Sequence, residues 1–166
     1  MKLPFRFFIF YLFINITLTS CTVIDTIYSG ESETRISQDY ECPVTKPDWI
    51  KPPEDSAVQE SPSYGYYFTN KDRSIWASAW WEENEKYHLH SGEDGIKVGW
   101  FRPEGASLEI TGQRLDAQAP PLDAYVPCCY PTRFQATGLI FPTEGCWQIT
   151  ASAAESMLSF IVEVEP

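Results

Sequence analysis

The chain has 166 residues, with 23 acidic and 12 basic side chains and a formal net charge of −11. A surface of this sign repels the phosphates of nucleic acids and the headgroups of anionic lipids, which excludes nucleic acid as a partner. The length suffices for one domain with a substantial hydrophobic core.

The N-terminus has the composition of a secretory signal peptide. Two basic residues precede the apolar run Phe7–Leu18, which is shorter than the about 20 residues of a membrane-spanning helix. Leu18–Cys21 then resembles the lipobox of bacterial lipoproteins. The resemblance implies that residues 1–20 are a cleaved signal peptide and that diacylglycerol is attached to Cys21. It predicts an extracytoplasmic lipoprotein, anchored to a bacterial membrane at the cell surface or on its periplasmic face.

Residues 21–62 predict an extended tether between this anchor and a folded body. The stretch Ser29–Tyr40 is polar, and prolines recur after it, which favours a polyproline-like backbone over packed structure. Cys42 and Trp49 depart from that composition. We therefore expect part of the tether, Cys42–Ile50, to dock on the body, because a cysteine in an exported protein is usually paired.

Residues 63–166 predict an all-β domain, an antiparallel β-sandwich of seven to eight strands. Short runs of alternating apolar and polar residues recur with turn-forming residues between them. The runs are Tyr64–Phe68, Ser74–Trp81, Lys86–His90, Ile96–Trp100, Leu108–Ile110, Gly138–Phe141, Cys146–Ala153 and Leu158–Val164. The last two form the strongest signal, a hairpin with one apolar face. The Pro-rich stretch Asp116–Tyr130, between the runs Leu108–Ile110 and Gly138–Phe141, is expected to cross between sheets or to serve function.

With Cys21 lipidated, four cysteines remain for two disulfides. They are Cys42, Cys128, Cys129 and Cys146. A bond between the adjacent Cys128 and Cys129 is disfavoured, because neighbouring Cα atoms are about 3.8 Å apart and ordinary disulfides need about 4.4–6.8 Å. Cys146 is therefore expected to pair with Cys128 or with Cys129, and Cys42 with the other.

His88 and His90 are the two histidines of the chain, and they form a His-x-His unit. On a strand over Lys86–His90, both imidazoles would project to one side, opposite Tyr87 and Leu89, as half of a copper or zinc site. The competing interpretation is that both occupy the solvent side of an edge strand, since spacing identifies no third ligand.

Trp76 and Trp80 lie in the most aromatic stretch of the chain. If Ile75, Ala77 and Ala79 face the core, these two tryptophans lie on the outer face or under a loop. Exposed tryptophans could bind a sugar ring or a partner protein. The alternative is that they pack beneath the N-terminal segment, against Trp49.

Catalytic motifs have little support in this sequence. Neither a Gly-x-Ser-x-Gly elbow nor a phosphate-binding loop is present, and a Ser-His-acid arrangement would have to use His88 or His90. The acidic cluster Glu82–Glu85 lies in a predicted turn, where carboxylates are normally hydrated. The sequence therefore predicts a protein that is not an enzyme and has no cofactor.

Two blocks of the C-terminal half resemble an uncharacterised family of exported bacterial proteins. They are Val98–Ala106, which reads VGWFRPEGA, and the hairpin that begins at Phe141 with FPTEGCW. The hairpin is similar, more distantly, to the closing strands of immunoglobulin-like bacterial domains, including periplasmic copper carriers, although the chain lacks the His and Met ligands that such carriers place near their termini. The resemblance implies an immunoglobulin-like sandwich and an envelope location.

These observations predict a lipid-anchored binding or structural module of the cell envelope. Its expected partners are the membrane, through the lipid, and a protein or a cell-wall glycan, through Trp76 and Trp80. The alternative is an envelope copper- or zinc-binding protein that uses His88 and His90.

Overall fold

The computed structural model describes residues 40–54, 63–92, 94–128 and 130–166. The predicted signal peptide, Cys21 and Cys129 lie outside these ranges. The described residues form nine β-strands and one 3-10 helix, Trp80–Glu83. The strands are β1 (Asp48–Ile50), β2 (Gly65–Thr69), β3 (Trp76–Ser78), β4 (Ile96–Phe101), β5 (Leu108–Arg114), β6 (Asp123–Tyr125), β7 (Phe134–Ile140), β8 (Gly145–Ala153) and β9 (Ser156–Val164). Within the same ranges, no helix has the length and apolar character needed to cross a membrane.

The strands form two antiparallel sheets. One has the order β1-β2-β3-β4-β7-β6, and the other has the order β5-β8-β9. From β3 onward this is the arrangement of a constant-type immunoglobulin sandwich, with β3, β4, β7 and β6 as strands A, B, E and D, and with β5, β8 and β9 as C, F and G. The predicted all-β sandwich is confirmed. Eight of the nine strands, β2–β9, lie within residues 63–166, as predicted, and the ninth, β1, lies in the stretch predicted as tether.

Alternate residues of the two sheets meet in one hydrophobic core. Phe68 of β2 stacks on Phe160 of β9 with ring centroids 4.1 Å apart. Trp100 and Trp147 are fully buried in the same cluster. The indole N–H of Trp100 donates to the Thr137 hydroxyl at 2.9 Å, which satisfies the polar atom that this ring brings into the core. Burial of each such ring contributes roughly 1.5–3 kcal/mol, so these aromatic side chains hold the two sheets together.

The segment N-terminal to the predicted domain also joins the fold. β1 pairs with β2, and Thr45 lies beside the outer edge of β9. The Thr45 N–H donates to the Ile161 carbonyl, and the Ile161 N–H donates to the Thr45 hydroxyl, both at 2.9 Å. These bonds occupy part of a sheet edge that would otherwise be open to another chain. The first strand of the sandwich thus lies inside the stretch that composition predicts as tether.

The disulfide pairing differs from the expectation. Cys146 bonds to Cys42, with Cα atoms 5.5 Å apart, and therefore to neither Cys128 nor Cys129. The prediction is wrong because residues 42–45 run along β9, the strand next to Cys146, and bring Cys42 within bonding distance. Cys128 is disulfide-bonded as well.

The predicted strand Lys86–His90 is absent. The Asn84 side chain accepts from the Lys86 N–H at 3.0 Å, and the Asn84 carbonyl accepts from the Tyr87 N–H at 2.8 Å, so the chain turns here instead of extending. It then meets β9 through a single parallel bridge between His90 and Glu165. Leu89 is buried as expected, but Tyr87 is exposed, as His88 and His90 are. Similarly, the run Ser74–Trp81 is a strand only to Ser78 and then enters the 3-10 helix.

A hydrogen-bonded ion pair secures the loop between β7 and β8. Arg114 donates from Nε to Asp116 Oδ1 at 2.8 Å and from one terminal nitrogen to the Thr143 hydroxyl at 3.1 Å. The Asp116 carboxylate also accepts from the Cys146 N–H at 3.1 Å. Gly145 is required beside this pair, because its φ is +124° and a Cβ there would lie 2.5 Å from Arg114 Nε.

Asp116→Asn is expected to lower the free energy of unfolding by about 1–2 kcal/mol at pH 7. The Arg114 hydrogen bond holds the pKa of Asp116 below its usual value. The stability that this carboxylate contributes is therefore complete above its unfolded-state pKa near 4 and is lost as the pH falls through the lower folded-state pKa. Urea unfolding at pH 7, 4 and 2.5 should show the gap between the two proteins closing. Asp123→Asn on exposed β6 is the control, and a gap that stays constant to pH 2.5 would contradict the assignment.

Candidate binding site

Three segments that are distant in sequence meet at the C-terminal end of β9. The connection from β3 to β4 runs parallel to that end, where the Glu165 N–H donates to the Leu89 carbonyl at 2.7 Å and the Ser91 N–H donates to the Glu165 carbonyl at 2.8 Å. Residues 42–45 also lie along β9, fixed by the disulfide and by Thr45. Because β9 pairs with β8 along its whole length, it is a rigid base for both irregular segments.

A cavity of about 200 Å³ lies among these segments. Its floor is apolar and consists of buried side chains from the β3–β4 connection and from β9, namely Trp81, Leu89 and Val162. Val44 and Tyr87 form exposed apolar walls on either side. Val44 reaches the cavity only because the disulfide and the Thr45 bonds hold its segment against β9.

The rim of the cavity is acidic. Glu82 comes from the 3-10 helix, Glu163 from β9 and Glu165 from the position directly after β9, and alternation with the buried Val162 and Val164 points both of these glutamates away from the core. All three are exposed. His88 Nδ1 lies 3.1 Å from Glu165 Oε1. The lining residues include neither lysine nor arginine, so the electrostatic potential in the cavity is negative at neutral pH.

The two histidines both contact the C-terminal residues of the chain. His88 is beside Glu165, and His90 Nδ1 lies 3.0 Å from the backbone oxygen of Pro166. His88 lines the cavity. Among the described residues, no group of three His, Cys, Asp or Glu side chains is arranged to hold a metal ion. The structure thus places His88, but not His90, among the residues that line the cavity.

Trp80 extends the aromatic surface next to the cavity. Its side chain is 40% exposed, and its indole N–H donates to the Lys97 carbonyl at 2.9 Å, which fixes the ring against β4. The ring packs edge-on against Tyr87, with centroids 5.6 Å apart, and against Trp81 at 6.0 Å. Trp80, Tyr87 and Trp81 of the cavity floor therefore form one continuous aromatic region.

Trp76 is not part of this surface. It lies on the outer face of the six-stranded sheet, opposite the core residues Ile75 and Ala77, but it is only 5% exposed. Tyr67 packs edge-on against it at 5.8 Å and also contacts Phe101. Burial and the nearby Glu83 carboxylate raise the pKa of Tyr67. Trp49 packs against Tyr66, at 4.9 Å, rather than against Trp76.

Trp80 and His88 of this site are predictable from the sequence, whereas its other parts are not. Glu163 and Glu165 alternate with Val162 and Val164, a pattern that any solvated strand edge would show. Val44 lies in the segment that is expected to dock, but the sequence does not show that this segment docks along β9. No local signal could have shown that these residues surround one cavity.

The fold and the site together define an immunoglobulin-like β-sandwich with a small aromatic and acidic cavity at one end of strand G. No protein-family model, curated protein or solved structure matches the chain.

Proposed function

We propose that this protein is a non-enzymatic binding module of the bacterial cell envelope, anchored by a lipid at Cys21. It holds a protein or a cell-wall glycan at the cavity beside Trp80 and Tyr87. The Cys42–Cys146 disulfide supports an extracytoplasmic location, because such bonds persist in oxidising compartments. The anchor rests on the resemblance of Leu18–Cys21 to a lipobox.

The observation that carries the binding role is the exposed aromatic region that continues into the cavity. Tyr87 is 53% exposed and Trp80 is 40% exposed, and the centroids of their rings lie 5.6 Å apart. Trp and Tyr at the surface supply a large contact area with little loss of side-chain entropy, which is why they dominate binding hot spots.

A copper or zinc role for His88 and His90 has one observation in its favour, because both imidazoles lie beside the last two residues of the chain. A metal site would still need a further ligand from the protein or from a partner. The binding proposal requires no such addition.

Tyr87→Ala is expected to weaken binding about 5-fold or more, the loss typical of an exposed aromatic hot spot. Full-length protein in non-ionic detergent micelles would be applied to peptide arrays and to arrays of cell-wall glycan fragments. The matched control is Tyr125→Ala, because Tyr125 is 70% exposed on β6 and does not line the cavity. The proposal fails if neither array binds the protein, or if the Tyr125 variant loses as much binding as the Tyr87 variant.

A further inference from the structure

The size of the cavity limits what can occupy it. Pockets that enclose whole small-molecule ligands have volumes of about 300–1,000 Å³. At about 200 Å³ and open to solvent, this cavity is smaller than that range. It is better suited to one side chain or chemical group that belongs to a larger molecule bound outside it.

The lining changes from apolar at the floor of the cavity to acidic at its entrance, and this change indicates which kind of group fits. Trp81, Leu89 and Val162 form an apolar floor, whereas carboxylates surround the entrance. A group that matches both regions has a hydrocarbon stem and a positive end. Lysine and arginine side chains have this construction, and they bury the stem while the charge stays near water.

The carboxylates at the entrance are available to such a cation. Glu82 and Glu163 form no ion pair within the part of the chain that the structure describes, and Glu165 contacts only the imidazole of His88 as an ion-pair partner there. The exposed ring of Tyr87 adds a face over which an ammonium or guanidinium group is attracted. The net charge of −11 favours the approach of a basic partner over the whole surface.

We propose that the cavity binds the side chain of a single lysine or arginine presented by a basic partner protein. This inference rests on the proposed binding function and specifies its partner as a protein instead of a glycan. Trp81, Leu89 and Val162 contact the stem, and Glu82, Glu163 and Glu165 neutralise the charge. Trp80 lies against the surrounding surface of the partner.

Short peptides that differ in one side chain test this assignment. Full-length, ¹⁵N-labelled protein in non-ionic detergent micelles is titrated with acetyl-Gly-Lys-Gly-amide, with its Arg analogue and with its norleucine analogue, which keeps the stem and lacks the charge. NMR follows the Leu89 amide and the Trp81 indole N–H. We expect saturable shifts with Lys and Arg, and at least about 5-fold weaker binding of norleucine, because several exposed carboxylates each contribute a factor of about 2–5.

Glu163→Gln is expected to weaken binding of the Lys peptide about 2- to 5-fold. Glu109→Gln is the matched control, since it removes the same charge from an exposed position of β5. The inference is overturned if norleucine binds as well as Lys, if the shifts avoid Leu89 and Trp81, or if Glu109→Gln has the same effect as Glu163→Gln.

The array experiment separates the two proposals. Glycan or neutral-peptide binding that is lost in Tyr87→Ala, together with no response to the Lys peptide, would overturn the cationic side chain and leave the binding function standing. Absence of binding in both experiments would overturn both.

Discussion

Replacing Cys42 and Cys146 together by alanine is expected to lower the free energy of unfolding by about 4 kcal/mol. The bond joins residues separated by 104 positions, and a disulfide that closes a longer loop removes more conformational freedom from the unfolded chain. Urea unfolding of the double variant and the natural protein measures the loss. The variant is preferable to a reducing agent, because Cys128 is also disulfide-bonded and would be reduced too.

Thr45→Val is the matched control for this experiment. It removes the hydroxyl that accepts from the Ile161 N–H but keeps the disulfide, and it should cost about 1 kcal/mol. If the double cysteine variant loses no more than this control, then hydrogen bonds alone hold residues 42–45 and the disulfide adds little. The double variant should also weaken peptide binding, since Val44 loses its fixed place in the wall of the cavity.

The alternation of apolar and polar residues was sufficient to predict those strands that have one buried face. β8 and β9 alternate strictly because Trp147, Ile149, Phe160 and Val162 meet the other sheet, and the structure has this hairpin in register along its whole length. The same rule places Ile75 and Ala77 in the core. In each case the two-residue period of apolar side chains indicates which of them are buried.

The same alternation was insufficient wherever the structure depends on a strand or residue that is distant in the sequence. Lys86–His90 has an alternating sequence, yet a strand needs a neighbour along its length, and only His90 meets one. Trp76 lies on the outer face, as alternation requires, but its burial depends on Tyr67 of the adjacent strand. The Cys42–Cys146 bond depends on the path of a segment whose composition resembles a tether.

Arg102 illustrates the same limit for a single residue. In the sequence, Arg102 is the first residue of a stretch typical of a turn, Arg102–Gly105, where an arginine side chain is expected to be exposed to solvent. In the structure it is only 2% exposed. Its guanidinium donates to Gln135 Oε1 at 2.8 Å and to the backbone oxygens of Pro103 and Tyr130 at 3.0 and 2.9 Å. Gln135 in turn donates to the Pro127 carbonyl at 2.7 Å. These two side chains therefore hold Pro127 and Tyr130 of the loop between β6 and β7.

Arg102→Met is expected to lower the free energy of unfolding by about 3 kcal/mol, because it leaves the buried Gln135 Oε1 and two partly buried carbonyl oxygens without this donor, at about 1–3 kcal/mol for each acceptor left unsatisfied. Burial lowers the pKa of Arg102, which shows that removing the charge from water has a cost. That cost is offset in the natural protein because every buried side-chain nitrogen and oxygen in the described ranges has a hydrogen-bond partner. Arg102→Lys should recover little of the loss, since one ammonium cannot reach three oxygens arranged around a planar group.

A double-mutant cycle with Gln135→Leu separates the network from simple loss of packing. If Arg102 and Gln135 act as one hydrogen-bonded unit, Gln135→Leu alone should leave the guanidinium short of an acceptor. The double variant should then lose less free energy of unfolding than the two single variants lose in sum, by about 1 kcal/mol or more. The natural protein, the two single variants and the double variant are compared by urea unfolding with one common m value, the slope of the free energy of unfolding against urea concentration. Additive losses would mean that Arg102 acts through its contacts with Pro103 and Tyr130 and that Gln135 holds Pro127 independently.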